Sequence, residues 1–406
     1  MAIFREIPPT AGFPLYAKDF LSVFTLKERR NCLEDDFSYY LNLESARVTY
    51  SGTAAFYLIL ESLKELSKKK TVIIPSFVCP LIPLAIKRAG LNVEVCDINK
   101  DDFGFDAEML EALCRANADV LAIVAVHLAG IPIDFDAVEN IAKKYALFTI
   151  EDCAQSLGAS YKGAKVGTRG DFSFYSLCRG KGLTIYEGGI AATGNKEYAE
   201  LLDRTIQRVV QTDLFSEMAM ILKLFGYAVF YRPLLFWFVF RLPQLFWSWR
   251  GDTIKAAMED FDLNFPLHTV STVRQLIGHS QFSRLDEEAR KQRLKALFYM
   301  RCLEGIKGIK SICELQDSIA TYPFVTLIFD DPGKRAKALR ALEASGHGGS
   351  FVYALAIADY GYLRDIVSDR NCANARHISE RTITLSTSTF LEEADARAVV
   401  KLLKDL

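Results

Sequence analysis

The chain has 406 residues and a mass of 45.6 kDa, enough for two or three domains or one large two-lobed enzyme. Half of it is hydrophobic and 24% is charged, so it can bury large cores and is not broadly disordered. Its 49 basic and 50 acidic residues leave a net charge of -1, which argues against a nucleic-acid or polyanion binder.

The opening MAIFREIPPTAGFPL has no basic stretch followed by an apolar core, so no signal peptide is expected. The nine cysteines form no CxxC pair and are odd in number. They read as reduced thiols of a cytoplasmic protein rather than a disulfide frame or a zinc site, and no metal is expected.

Ser51-Gly52-Thr53-Ala54-Ala55 precedes a helical run through Phe56, Leu58, Ile59, Leu60 and Leu63. Small residues at a helix start leave N–H groups that can hold a phosphate; a plain Ser or Thr cap is the simpler alternative. Apolar runs follow at 71–75, 92–96, 120–127, 146–152, 172–177 and 189–194. Several are apolar on both faces, as in strands covered by helices on each side. Between them lie amphipathic segments. One opens at Asp136 with Glu139 as its capping-box partner, and its Phe135, Val138, Ile141, Ala142 and Tyr145 share a face. The alternation predicts an α/β fold with a largely parallel sheet.

Two of these strand ends carry chemistry. Glu151-Asp152 closes the apolar run at 146–152, where α/β sheets place functional groups, unless Asp152 is only a helix cap. Lys181 stands between Gly180 and Gly182 just past FSFYSL, with Glu187-Gly188-Gly189 following. The alternative there is a solvated loop lysine.

Residues 218–249 break the composition, with 24 hydrophobic residues among 32, no acid, and all three tryptophans of the chain. Lys223, Arg232 and Arg241 leave uncharged runs too short to span a bilayer, and Pro233 and Pro243 are expected to break any single helix. An insertion of about 213–252 is expected to lie peripherally on a membrane's inner face, or to be buried by another protein surface. Further on, residues 265–304 read as long helix, with the charged run RLDEEARKQR as a solvated face. A strand at 321–329, a helix with a glycine stop at Gly346, a strand at 382–387 and a last helix from Glu392 make a smaller α+β domain. The expected division is 1–280 and 281–406.

SGTAAF, VHLAG, EDCAQ and GDFSFYSLCRGKGLTIYEGG occur here in order and at fitting intervals. In this the chain resembles the pyridoxal-phosphate-dependent sugar aminotransferases of the DegT/DnrJ/StrS family. The resemblance runs from about Val48 to about Gly194. It resumes more weakly at Asn264-Phe265, RLDEEARKQR and SERTITLS. It implies fold type I: a large domain with a mostly parallel seven-stranded-type sheet and a small C-terminal α+β domain. It also implies pyridoxal 5'-phosphate as cofactor. Lys181 matches the catalytic lysine that binds it, Asp152 the aspartate beside the pyridine nitrogen, and Gln155 a residue near the phenolic oxygen. Gly52, Thr53, Ala54 and Ser176 match its phosphate cup. Asn264 matches an asparagine reaching the phosphate in the neighbouring subunit, which implies a homodimer. His127 is as much a structural candidate as a catalytic one.

There are departures. The ring-stacking aromatic of the family is replaced by Cys79, with Phe77 as a substitute on the same face of an extended segment. The family's NYR arginine is Pro266, and its LPLH-like string is Leu385-Ser386-Thr387-Ser388. The implied activity is transfer of an amino group, from glutamate, to a nucleotide-linked or lipid-linked keto sugar in glycan or secondary-metabolite biosynthesis. The alternative is a regulatory or catalytically altered homologue that binds cofactor without transamination. A dehydratase is disfavoured because Lys181 is present.

Overall fold

A computed structural model describes residues 4–25, 32–368 and 372–405. Seven strands form the main sheet: β1 (Ser45–Thr49), β2 (Thr71–Pro75), β3 (Asn92–Cys96), β4 (Val120–Val126), β5 (Phe148–Asp152), β6 (Phe172–Ser176) and β7 (Gly189–Thr193). Their order is β1-β7-β6-β5-β4-β2-β3. Only β7 runs antiparallel to its neighbours β1 and β6; the remaining pairs are parallel. β2, β4 and β7 are buried at every residue, because helices cover both faces. Parallel pairing brings the C-terminal ends of β4, β5 and β6 to one edge, where an α/β sheet opens a crevice.

Six of the seven strands fall where apolar runs predicted them. β1, SARVT, escaped because polar residues interrupt it; its Arg47 pairs with Asp203 at 2.6 Å. A second, antiparallel sheet joins Ile309–Ser311, Phe324–Phe329 and Thr382–Ser386. The helix Pro332–Ser345 ends at a left-handed Gly346, and Glu392 and Asp395 form a reciprocal cap for Glu393–Lys404. Residues of both sheets, such as Ile74 and Phe172 of one and Val325 and Ile383 of the other, share one hydrophobic core.

Several expectations need correction. The helix Phe135–Tyr145 is capped by Asp134, not Asp136; Asp136 instead pairs with Lys162 and Arg169, and Glu139 with Lys143 and Arg169. The stretch 265–304 holds two helices, Thr272–Phe282 and Leu285–Leu303, separated at Ser283-Arg284. RLDEEARKQR is not merely solvated. Arg284 makes a buried two-pronged bond to Asp19 at 2.8 and 2.9 Å, and Gln292 donates to the Ala11 carbonyl at 3.1 Å. These side chains hold down an N-terminal strap, which also hydrogen-bonds through Phe13 N to the Gly182 carbonyl at 2.8 Å.

The aromatic-rich stretch is a bent hairpin. Its first arm is the helix Leu214–Phe230, and its second runs from Pro233 to Trp249, at 114° to the first. Pro233 starts the second arm, as proline favours. Pro243 does not break it. A π turn at Trp237–Arg241 shifts the register so that Leu242 N reaches Trp237 O, and Pro243, with no N–H to donate, continues the helix. No single helix among the described residues is long and apolar enough to cross a membrane, although the bent pair passes by length and composition together.

Candidate active site

A cleft of about 710 Å³ opens at the sheet edge where β4, β5 and β6 end. Gly52, Thr53, Cys79, Asp152, Gln155, Ser176 and Lys181 all line it, so motifs spread over 130 residues of sequence meet in one place.

The helix Gly52–Leu66 points its start into the cleft. Ser51 Oγ accepts from Ala54 N at 3.0 Å, so the Ala54 amide is already engaged and Ala54 does not line the cleft. The Gly52 and Thr53 amides, in the first turn, have no carbonyl partner within the helix. Close approach requires glycine on the strand beneath. A Cβ on Gly189 would lie 2.4 Å from the Ser51 carbonyl group.

Asp152 ends β5. Its Oδ1 accepts from Ala154 N at 2.9 Å, in a turn with no helix after it, so it is not a helix cap. Burial raises its pKa to about 6, against the Ala154 amide and the positive field of Lys181, which lower it. Its neighbour Glu151 faces the other way. Burial opposes its ionisation, yet His127 and the Gly170 and Gly167 amides hold the carboxylate below its ordinary range. His127 accepts from Ile133 N at Nδ1 (3.3 Å), so Nε2 carries the proton shared with Glu151 (3.0 Å). The imidazole borders the cleft with both nitrogens occupied. His127, Glu151 and Cys153 cluster within 4.8 Å, but hydrogen bonds use the first two, and burial lifts the Cys153 thiol well above its ordinary range. That donor set suits structure rather than a metal.

Lys181 lies in the loop after β6. Gly180 and Gly182 flank it with φ of +81° and +77°, backbone that L side chains avoid. Among the described residues no hydrogen bond or ion pair engages its ammonium. Gln155 is held by Ala129 N, which donates to its Oε1 at 2.9 Å.

Phe77 is 2% exposed and packs its ring against Tyr353 behind the cleft, while Cys79 borders it. Burial lifts the Cys79 thiol to about 11, so it stays protonated. Asn264 is exposed and lies outside this chain's own cleft, although Phe265 and Pro266 line it. Ser386, Thr387 and Ser388 are buried; Ser386 and Thr387 donate to the Pro8 and Tyr322 carbonyls at 2.6 and 2.8 Å.

Sequence reasoning missed Tyr186, Lys223, Glu259 and Tyr353, which also line the cleft. Tyr186 has φ of +75°, a strained backbone of the kind found at functional sites. The only signal for Tyr353 was the tyrosine-rich stretch YALAIADYGY, which had no motif around it.

Comparison with known proteins places this geometry. Residues 21–227 and 264–404 match the family model described as the DegT/DnrJ/EryC1/StrS aminotransferase family, and 228–263 fall between the two matched ranges. A curated Campylobacter jejuni protein, UDP-4-amino-4,6-dideoxy-N-acetyl-beta-L-altrosamine transaminase, is 35% identical over 165 residues, which cover 40% of this chain and 43% of that one. The chain thus matches less than half the length of that relative. Among solved structures, the Helicobacter pylori aminotransferase of pseudoaminic acid biosynthesis superposes with a TM-score of 0.77 at 17% identity, covering 99% of each chain. A sugar aminotransferase from Micromonospora echinospora gives 0.76 at 20% identity, covering 98% of this chain and 99% of that one. At these identities the superpositions show the fold, which is fold type I.

Proposed function

Because the chain belongs to the DegT/DnrJ/EryC1/StrS aminotransferase family, we propose that it is a pyridoxal 5'-phosphate-dependent aminotransferase that passes an amino group from glutamate to an activated keto sugar. The observation that carries this reading is the convergence of Lys181, Asp152 and the Gly52 helix start on one cleft.

The residues present fit the cofactor. The free amides of Gly52 and Thr53, with Ser176 beside them, suit a phosphate. Asp152, reluctant to ionise alone, suits a cationic nitrogen. Lys181 has an unengaged amine in reach of the same space. When bound, the cofactor supplies an aldehyde for amine exchange and an electron-withdrawing ring. Lys181 would hold that aldehyde through its Nζ and, once displaced by the donor amine, would carry the transferred proton on Nζ. Asp152 would keep the ring nitrogen protonated, and Gln155 would orient the ring edge. Glutamate leaves as 2-oxoglutarate and the acceptor's carbonyl oxygen is replaced by the amine, so no outside oxidant or reductant is needed.

The same proposal includes a homodimer in which Asn264 serves the partner's cleft, the division into 1–280 and 281–406, and a cytoplasmic catalytic body whose hairpin contacts a membrane peripherally. A second reading, cofactor binding without turnover, has one observation in its favour: Ser386 and Thr387 spend their hydroxyls on the backbone rather than facing the cleft. Glutamate added to the yellow holoenzyme separates the two. Loss of the visible band is expected; a band unchanged by glutamate, and by other amino acids, supports the idle homologue.

A further inference from the structure

The hairpin leaves and rejoins the cleft. Met220 and Lys223 on its first arm line the cleft, and so do Ala257, Met258 and Glu259, which follow the short helix Thr253–Ala256 after its second arm. The same first arm presents an apolar face outward, with Met218 68%, Leu222 73% and Val229 55% exposed. The second arm, bent 114° from the first, also exposes Leu234, Phe238, Leu242, Phe246 and Trp249, the last 82% exposed. A face of this extent is not left bare on a soluble chain.

Three observations identify what covers it. The second arm lies within 228–263, outside the ranges matched by the family model, so the family fold does not call for that half of the surface. Between Leu214 and Arg250 the only acid is Glu217, buried against Arg274, whereas Lys223 and Arg250 are exposed. All three tryptophans lie on the second arm, at 237, 247 and 249. Aromatic and basic residues on a bent apolar element, neither arm of which is long and apolar enough to span alone, match the interface of an anionic bilayer.

We propose that the hairpin seats the protein on an anionic lipid surface, and that the cleft takes its keto sugar from there, carried on a lipid phosphate. The sugar occupies the cleft, the phosphate meets Lys223 at the rim, and the hydrocarbon follows the apolar face into the leaflet. This rests on the aminotransferase reading and names its acceptor class.

The test uses the intact holoenzyme and vesicles of phosphatidylethanolamine with phosphatidylglycerol. Since every tryptophan is on the hairpin, intrinsic fluorescence reports contact without any substitution. A blue shift with vesicles, and quenching by lipid brominated in its chains, are expected. The triple variant Leu245→Ser, Phe246→Ser, Trp249→Ser changes exposed residues away from the cleft. It should float with vesicles at least about tenfold less, yet be bleached by glutamate as the parent is. With vesicle-borne polyprenyl-diphosphate keto sugar as acceptor, turnover should exceed that of the same sugar on a soluble nucleotide and fall in the variant. An unshifted spectrum with no flotation, and a triple variant that turns dimer to monomer by light scattering, would make this face a subunit interface and overturn the proposal. Preference for the nucleotide-linked sugar would overturn its acceptor half. Failure of glutamate to bleach the enzyme would instead strike the aminotransferase reading, leaving the flotation result intact.

Discussion

Asp152 shows how the site trades stability for chemistry. With a pKa near 6 when folded, against an ordinary 3.8, it binds its proton more tightly in the folded than in the unfolded cofactor-free chain. Its contribution is therefore present below pH 3.8 and is lost as pH rises through about 6. Asp152→Asn removes that loss. The cofactor-free variant should be more stable than the parent above pH 7, by up to about 3 kcal/mol, with the gap closing toward pH 4. Its turnover with glutamate should nevertheless collapse, because an amide does not hold a ring nitrogen protonated. Thermal midpoints across pH, beside single-turnover bleaching, check both. Equal stability at all pH values, or near-normal turnover, would reduce Asp152 to the turn that Ala154 N already marks. At this scale Asp152, Gln155 and Lys181 were legible only through the family resemblance, because the strand ends alone left a helix cap and a loop lysine open. Tyr353 and Tyr186 were not, since they reach the cleft only through tertiary folding and a positive φ.

Among the elements, the hairpin's first arm depends on one buried ion pair. Glu217 accepts from Arg274 Nε at 3.1 Å and from Ser271 N at 2.7 Å, and Arg274 also donates to the Ile185 carbonyl at 3.3 Å. The pair thereby ties the arm to the loop that follows Lys181. Glu217→Ala leaves a fully buried guanidinium uncompensated and should cost about 3–5 kcal/mol in urea unfolding. A cost below about 1 kcal/mol would mean water reaches Arg274. Strands were readable because apolar runs bounded by turn residues admit few alternatives, and β2 and β3 fell on their predicted residues. The long helix at 265–304 was not, because its helical periodicity does not mark the break at Ser283-Arg284. Nor did the charge run reveal that Arg284 is buried on Asp19, a partner 265 positions away.

For the whole molecule, the cleft's position at the edge where parallel strands end was foreseeable from the α/β alternation. The single core linking both sheets was not, since it depends on contacts far apart in sequence. The proposed dimer makes a sharp demand: Lys181→Ala and Asn264→Ala chains, each inactive alone, should regain about a quarter of wild-type activity when mixed and reassembled, since half the dimers carry one intact site. No recovery would place Asn264 outside the partner's cleft. The central claim is that Lys181 is the amine that holds the cofactor. Borohydride reduction of the purified holoenzyme, followed by peptide mapping, tests it most directly. The cofactor mass is predicted on the peptide containing Lys181, and on no peptide in Lys181→Ala; a label on any other lysine would contradict the account.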